Sequence, residues 1–172
     1  PRHVDLVARI RTAGAGVKFL LGGDVAGAIA VGRPGAGVDM LMGVGGTPEA
    51  VLAAAALRCG GGAMFGRLHP RNDEERRAAL AFGHDLDRVL TTMDLVGGDN
   101  VFFAATGVTD GALLRGVRFE PDAVLTESIS MRSRSGAVRV IQTRHDRLQS
   151  NLIAARGREG TATSDPSPRK AS

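Results

Sequence analysis

The chain contains no tryptophan, no tyrosine and a single cysteine, Cys59. One cysteine permits no internal disulfide and points to a reducing compartment. Placed at the end of an apolar helix, it is expected as a buried thiol rather than a nucleophile. The six phenylalanines do not interleave with the basic residues, so the chain lacks the stacking platforms of single-stranded nucleic-acid binders. The net charge of +4 gathers in arginines after residue 115 and in Arg156, Arg158, Arg169 and Lys170. It reads as a solvated basic face, with no nucleic-acid partner. No stretch reaches the roughly 18 apolar residues of a membrane span, and no signal-peptide pattern opens the chain. A cytoplasmic protein with no membrane partner is expected. His3, His69, His84 and His145 show no metal-ligand spacing. No glycine turn forms a Walker A or a G-x-G-x-x-G fingerprint, and no spacing marks out a Ser–His–Asp triad.

What is present is material for one core. A chain of 172 residues, 43% of them hydrophobic, can bury a sizeable interior, and 24 glycines are too many for a helical bundle. The expected class is one α/β domain with a predominantly parallel central sheet and helices on both faces, closing in a hairpin. Val4, Val7 and Ile10 recur at helical spacing, predicting a helix over 2–13. Val17 to Leu21 reads as a buried strand ended by Gly22-Gly23, and Asp24 as the cap of a short helix to Ala30. Val38 to Met42 reads as a second buried strand. Residues 63–68 form a third strand candidate, Asn72 or Asp73 a cap for a helix over 74–82, and Thr92 the start of a short turn. Val101 to Ala105 is the most apolar strand of the second half. Strands over 124–132 and 137–143, flanking Ser133-Arg134-Ser135-Gly136, read as a hairpin. Beyond about Asn151 little remains to bury, so 151–172 is expected as a tail, disordered over 155–172.

The most informative stretch is 43–58. The strand at 38–42 runs into a glycine turn that opens directly onto an alanine-rich helix. Pro48 suits the first helical turn, where its missing N–H costs nothing. The N–H groups near Gly46 and Thr47 have no intrahelical acceptor, the helix dipole adds positive charge, and glycine lets an oxyanion approach closely. Glu49 lies in the same turn. Spacing alone leaves two readings of it open: a residue complementing the dipole, which spacing favours, or one side of a hard-cation site shared with a phosphate. Catalytic magnesium or manganese needs several carboxylates, and only Asp24 joins Glu49 at a phosphate-ready position. The residues alone therefore support a phosphate-binding α/β domain with part of a site.

Gly43 to Glu49, the Ala-Ala-Ala-Leu-Arg-Cys run ending at Cys59, Phe103 to Gly111 and Leu113 to Val117 resemble the class II fructose-1,6-bisphosphatases. Met131 to Arg139 and Gly23 to Ile29 are similar as well. The blocks run in family order from Pro1 to about His145.

The resemblance implies the C-terminal half of a layered αβα domain of the lithium-sensitive phosphatase type, with a central mostly parallel or mixed sheet, over 1–150. It implies Mn2+ or Mg2+ and hydrolysis of the 1-phosphate of fructose 1,6-bisphosphate in gluconeogenesis, by an enzyme that is a homo-oligomer when complete. The family's metal-binding glutamate lands on Glu49 and its substrate-contacting glycine on Gly46. The Asp-Gly-Asp turn lands on Gly22, Gly23 and Asp24, and a Lys-Pro-Arg segment on Pro1 and Arg2. Gly22 replaces the first aspartate of that turn, and Ala50 replaces the usual glycine after Glu49. The Asp-Pro-Ile-Asp-Gly-Thr metal motif and the catalytic threonine belong to an N-terminal half that this sequence does not contain. No catalytic residue is therefore expected in this chain, and its activity alone is expected to be negligible. The competing expectation is an inactive sugar-phosphate-binding or oligomerisation module.

Overall fold

A computed structural model describes residues 3–20, 22–33 and 35–146 of the chain. The tail expected at 151–172 lies outside them. The described residues divide into two compact units, those up to 104 with 129–139, and 105–128 with 140–146.

The first unit is built on helices. Helix α1 (Val4–Thr12), α2 (Asp24–Val31) and α3 (Thr47–Gly60) come first, and the latter two pack on each other. Alanine makes this packing close. Ala28 of α2, Ala53 and Leu57 of α3 form a buried cluster that also receives Met64, while Ala54, Ala56 and Cys59 are buried along α3. Gly61, in the left-handed region at φ 76°, ends α3, a conformation costly for any side chain with a Cβ. Strand β1 (Phe65–Gly66) pairs antiparallel with β2 (Leu90–Thr91), on either side of α4 (Asp73–Ala81). Asn72 caps α4 by accepting the Glu75 N–H at 2.9 Å. Helix α5 (Thr92–Leu95) starts in a capping box between Thr91 and Asp94. The Thr92 hydroxyl accepts the Met64 N–H at 2.7 Å, and Arg58 donates to the carbonyls of Val96 and Gly98 at 2.6 and 2.7 Å.

Strands β3 (Phe102–Thr106), β4 (Arg118–Phe119), β5 (Ala123–Arg132) and β6 (Ala137–Asp146) form a sheet in which β5 pairs with the other three. The turn at 133–136 joins β5 and β6, as the sequence predicts. In the second unit, β4 pairs antiparallel with β5, Arg118 opposite Leu125.

The class is α/β, but the parallel sheet expected of it is not formed by the described residues. Val17–Leu20 and Val38–Met42 form neither helix nor strand and join no ladder; Leu21 is outside the described residues. The pairings with a defined register, β1–β2 and β4–β5, are antiparallel. The physical reason is non-local. A strand needs a neighbour to take its N–H and C=O groups, and none lies beside these segments among the described residues. Their side chains consequently face solvent, with Phe19 64% and Met40 71% exposed. No helix among the described residues is long and apolar enough to cross a membrane.

Candidate phosphate and metal site

Helix α3 begins as the Pro48 signal predicts. Gly46 is its N-cap residue in extended backbone, φ −75° and ψ 151°, Pro48 lies in the first turn, and no side chain caps the end. The first N–H groups are thus left to water or a ligand. Over this end folds Glu49, whose Oε2 occupies the space a Cβ on Gly46 would take.

A second carboxylate arrives from α2. Gly23, left-handed at φ 79°, is the N-cap residue of α2, with Asp24 the first helical residue. The expectation that Asp24 caps the helix is corrected: its side chain makes no capping bond, and its Oδ2 lies 2.9 Å from where a Cβ on Gly45 would be. The left-handed turn at Gly23 precedes the helix, and the aspartate faces outward to the neighbouring loop.

A third side chain closes the other end of the turn. The Val44 N–H donates to His3 Nε2 at 3.2 Å, and the His3 ring lies 3.5 Å from the Cβ position of Gly43. This bond requires an unprotonated Nε2, hence the proton on Nδ1. Residues 43–46 are therefore bracketed by His3, Asp24 and Glu49. Asp24, Gly45, Gly46 and Glu49 are all solvent-exposed.

The structure brings together Asp24, Gly46 and Glu49 of the residues predicted from sequence. Gly22 and Gly23 lie exposed at the entry to α2, with open space around Gly22. Pro1 and Arg2 lie outside the described residues. Sequence reasoning missed His3. Its only signal was adjacency to Arg2, since nothing in local spacing links it to Val44.

Two carboxylates next to uncapped helix N–H groups repel a phosphate unless a hard cation lies between. Magnesium keeps much of its water and is commonly held by one or two carboxylates plus substrate phosphate. Asp24 and Glu49 fit one edge of such a site. No group of three or more His, Cys, Asp or Glu fit to hold a metal occurs among the described residues.

Residues 1–145 match the family described as bacterial fructose-1,6-bisphosphatase, glpX-encoded. A D-fructose 1,6-bisphosphatase class 2/sedoheptulose 1,7-bisphosphatase of Synechococcus sp. (strain JA-3-3Ab) is 43% identical over 157 residues, 84% of this chain and 45% of the relative. A fructose-1,6-bisphosphatase class 2 of Haemophilus influenzae is 40% identical over 158 residues, 84% of this chain and 47% of the relative. The chain spans about half the length of the curated relatives it matches. With the match running through the glycine turn, Glu49 and the strands of the hairpin, this chain belongs to the glpX-type bacterial fructose-1,6-bisphosphatase family.

Proposed function

We propose that this chain supplies one half of the site of a metal-dependent phosphatase acting on the 1-phosphate of fructose 1,6-bisphosphate and leaving fructose 6-phosphate. The observation that carries the reading is the convergence of the Asp24 and Glu49 carboxylates on the Gly45-Gly46 backbone at the start of α3. In this reading Glu49 is a ligand of Mn2+ or Mg2+, which when bound would activate water and neutralise phosphate charge. Gly46 admits the sugar phosphate to the backbone, Asp24 and Arg2 contact the substrate, and the α3 N–H groups favour the phosphate. Gluconeogenesis is the setting that the family resemblance supports.

The same reading accounts for the unpaired segments. In the complete phosphatase, 17–21 and 38–42 become inner strands of a layered αβα sheet, laddered to strands contributed by the other half. Their exposed apolar side chains support this, because a two-faced apolar strand is the mark of a sheet covered on both sides.

The test is a chimera in which residues 1–145 replace the matching segment of the Haemophilus influenzae relative. Manganese-dependent phosphate release from fructose 1,6-bisphosphate is expected, with most of it lost in Glu49→Gln, which keeps size and removes one charge. Residues 1–172 alone are expected to be inactive, since positioning is worth about 7–11 kcal/mol of barrier and half a site forfeits nearly all of it. A folded chimera without activity, or one indifferent to Glu49→Gln, overturns the reading and leaves the inactive binding module.

A further inference from the structure

Away from the glycine turn, within 105–128 and 140–146, the second unit holds a concave cavity of about 250 Å³. It forms where β4, β5 and β6 meet. Register places Arg118 opposite Leu125, and Leu125 and Glu127, two residues apart, share that face of the sheet. Gln142 and Arg144 of β6 line the cavity too, and Arg115 enters from the loop before β4.

The charges lining it do not balance. Arg144 is already committed, its Nη1 donating to Glu120 at 2.6 Å and its Nη2 to Asp122 at 2.8 Å. The one carboxylate in the wall, Glu127, is engaged by the backbone N–H of Arg115 and by Gln142 Nε2, each at 3.4 Å. The guanidinium groups of Arg115 and Arg118 make no hydrogen bond or ion pair among the described residues. Two exposed arginines, each carrying a planar donor fork, thus line a concavity that Leu125 lines as well. Such forks match the oxygens of phosphate bidentately, a geometry a lone ammonium lacks.

We propose that this cavity is a second anion site, taking a small phosphate monoester whose phosphate is held by Arg115 and Arg118 and whose organic part lies over Leu125. The volume sets the size. It lies just below the about 300–1,000 Å³ of pockets for drug-sized ligands, enough for one phosphate and a compact organic group, and too small for a dinucleotide. The site is separate from the α3 N-terminus in sequence and in chemistry: guanidinium groups make it, with no role for a metal.

The test uses inorganic phosphate as the probe on the full 172-residue chain, followed by residue-resolved amide NMR. Saturable shifts are expected at the amides of 115–118 and 125–127. The double variant Arg115→Ala/Arg118→Ala is expected to weaken them at least tenfold, with circular dichroism unchanged. Arg115→Lys/Arg118→Lys keeps the charge but not the fork and should fall between. Arg134→Ala, in the β5–β6 turn, should match the unmodified chain. Absence of saturable shifts at these amides up to about 20 mM phosphate overturns the proposal. So do shifts confined to the amides of 45–49, or shifts at 115–118 that persist unchanged in the double alanine variant. Shifts confined to 45–49 would favour the first site alone, and the role of Glu49 is read separately in the chimera, so failure of one site is distinguishable from failure of the other.

Discussion

The carboxylate of Glu49 fills the space that a methyl on Gly46 would need. The glycine at the α3 cap thus has a purpose beyond backbone freedom: at φ −75° an alanine would suit the dihedral and still collide with the Glu49 carboxylate. The colliding atom is the far end of a flexible side chain, so the conflict resolves by moving the carboxylate, not the helix.

Gly46→Ala is therefore expected to separate stability from function. The cap preference for glycine over alanine should cost at most about 1 kcal/mol, read as a small drop in the thermal midpoint. In the chimera described above, displacing Glu49 by an ångström should lower turnover about a hundredfold. A variant that unfolds outright, or one that keeps full turnover, contradicts the geometry.

Helices and hairpin were legible because their signals are local. Pro48 and Gly46 announce the start of α3, Asn72 caps α4, and Ser133 to Gly136 separates two β-rich runs. Each sits within a few residues of the element it governs. The runs at 17–21 and 38–42 look equally convincing as strands, but pairing is decided by a partner elsewhere in the chain, which an apolar run cannot name. The candidate site divides the same way. Glu49 and Gly46 share one helical turn and could be read from spacing. The meeting of His3 with Val44, 41 residues apart, and of Asp24 with Gly45, 21 apart, depends on tertiary packing that no local spacing encodes.

Cys59 illustrates a buried group made inert. It is 3% exposed, its thiol donates to the Val101 carbonyl at 3.4 Å, and burial pushes its pKa above the ordinary thiol value. Thiolate is the reactive form, so native chain should alkylate slowly. Iodoacetamide at about pH 8 is expected to label native protein at least tenfold slower than protein unfolded in guanidinium. Equal rates would mean that the α3 packing opens readily.

Acid should loosen the start of α5. Hydrogen bonds from the Thr91 hydroxyl and N–H, at 2.6 and 2.8 Å, hold the Asp94 carboxyl below its usual range, with a smaller contribution from Arg88. A carboxyl depressed in the folded state stabilises above its unfolded pKa of about 4 and loses that contribution as pH falls through the folded value. Asp94→Ala should therefore melt below the unmodified chain at neutral pH, with the gap closing towards about pH 3. A gap that stays constant with pH would show that the cap acts through shape alone.

The loop from Gly107 to Gly116 should discriminate among its own glycines. A Cβ on Gly116 would sit 2.7 Å from the Asp110 nitrogen and the Thr109 carbonyl carbon, and one on Gly107 would strike the Arg115 carbonyl oxygen. Both obstacles are backbone and cannot swing aside as Glu49 can. The crossing is also tied by Val117 N–H to the Val108 carbonyl at 3.2 Å and Gly116 N–H to Asp110 Oδ1 at 2.9 Å. Gly107→Ala and Gly116→Ala should each cost about 1–3 kcal/mol in denaturant unfolding, as overpacking does. Gly111, in the same loop, has only the Leu114 carbonyl at an ordinary 3.7 Å from its Cβ position. Gly111→Ala should stay within about 0.5 kcal/mol of the unmodified chain. Equal costs at Gly111 and Gly116 would show that backbone entropy, not the close crossing of the loop, sets the requirement for glycine here.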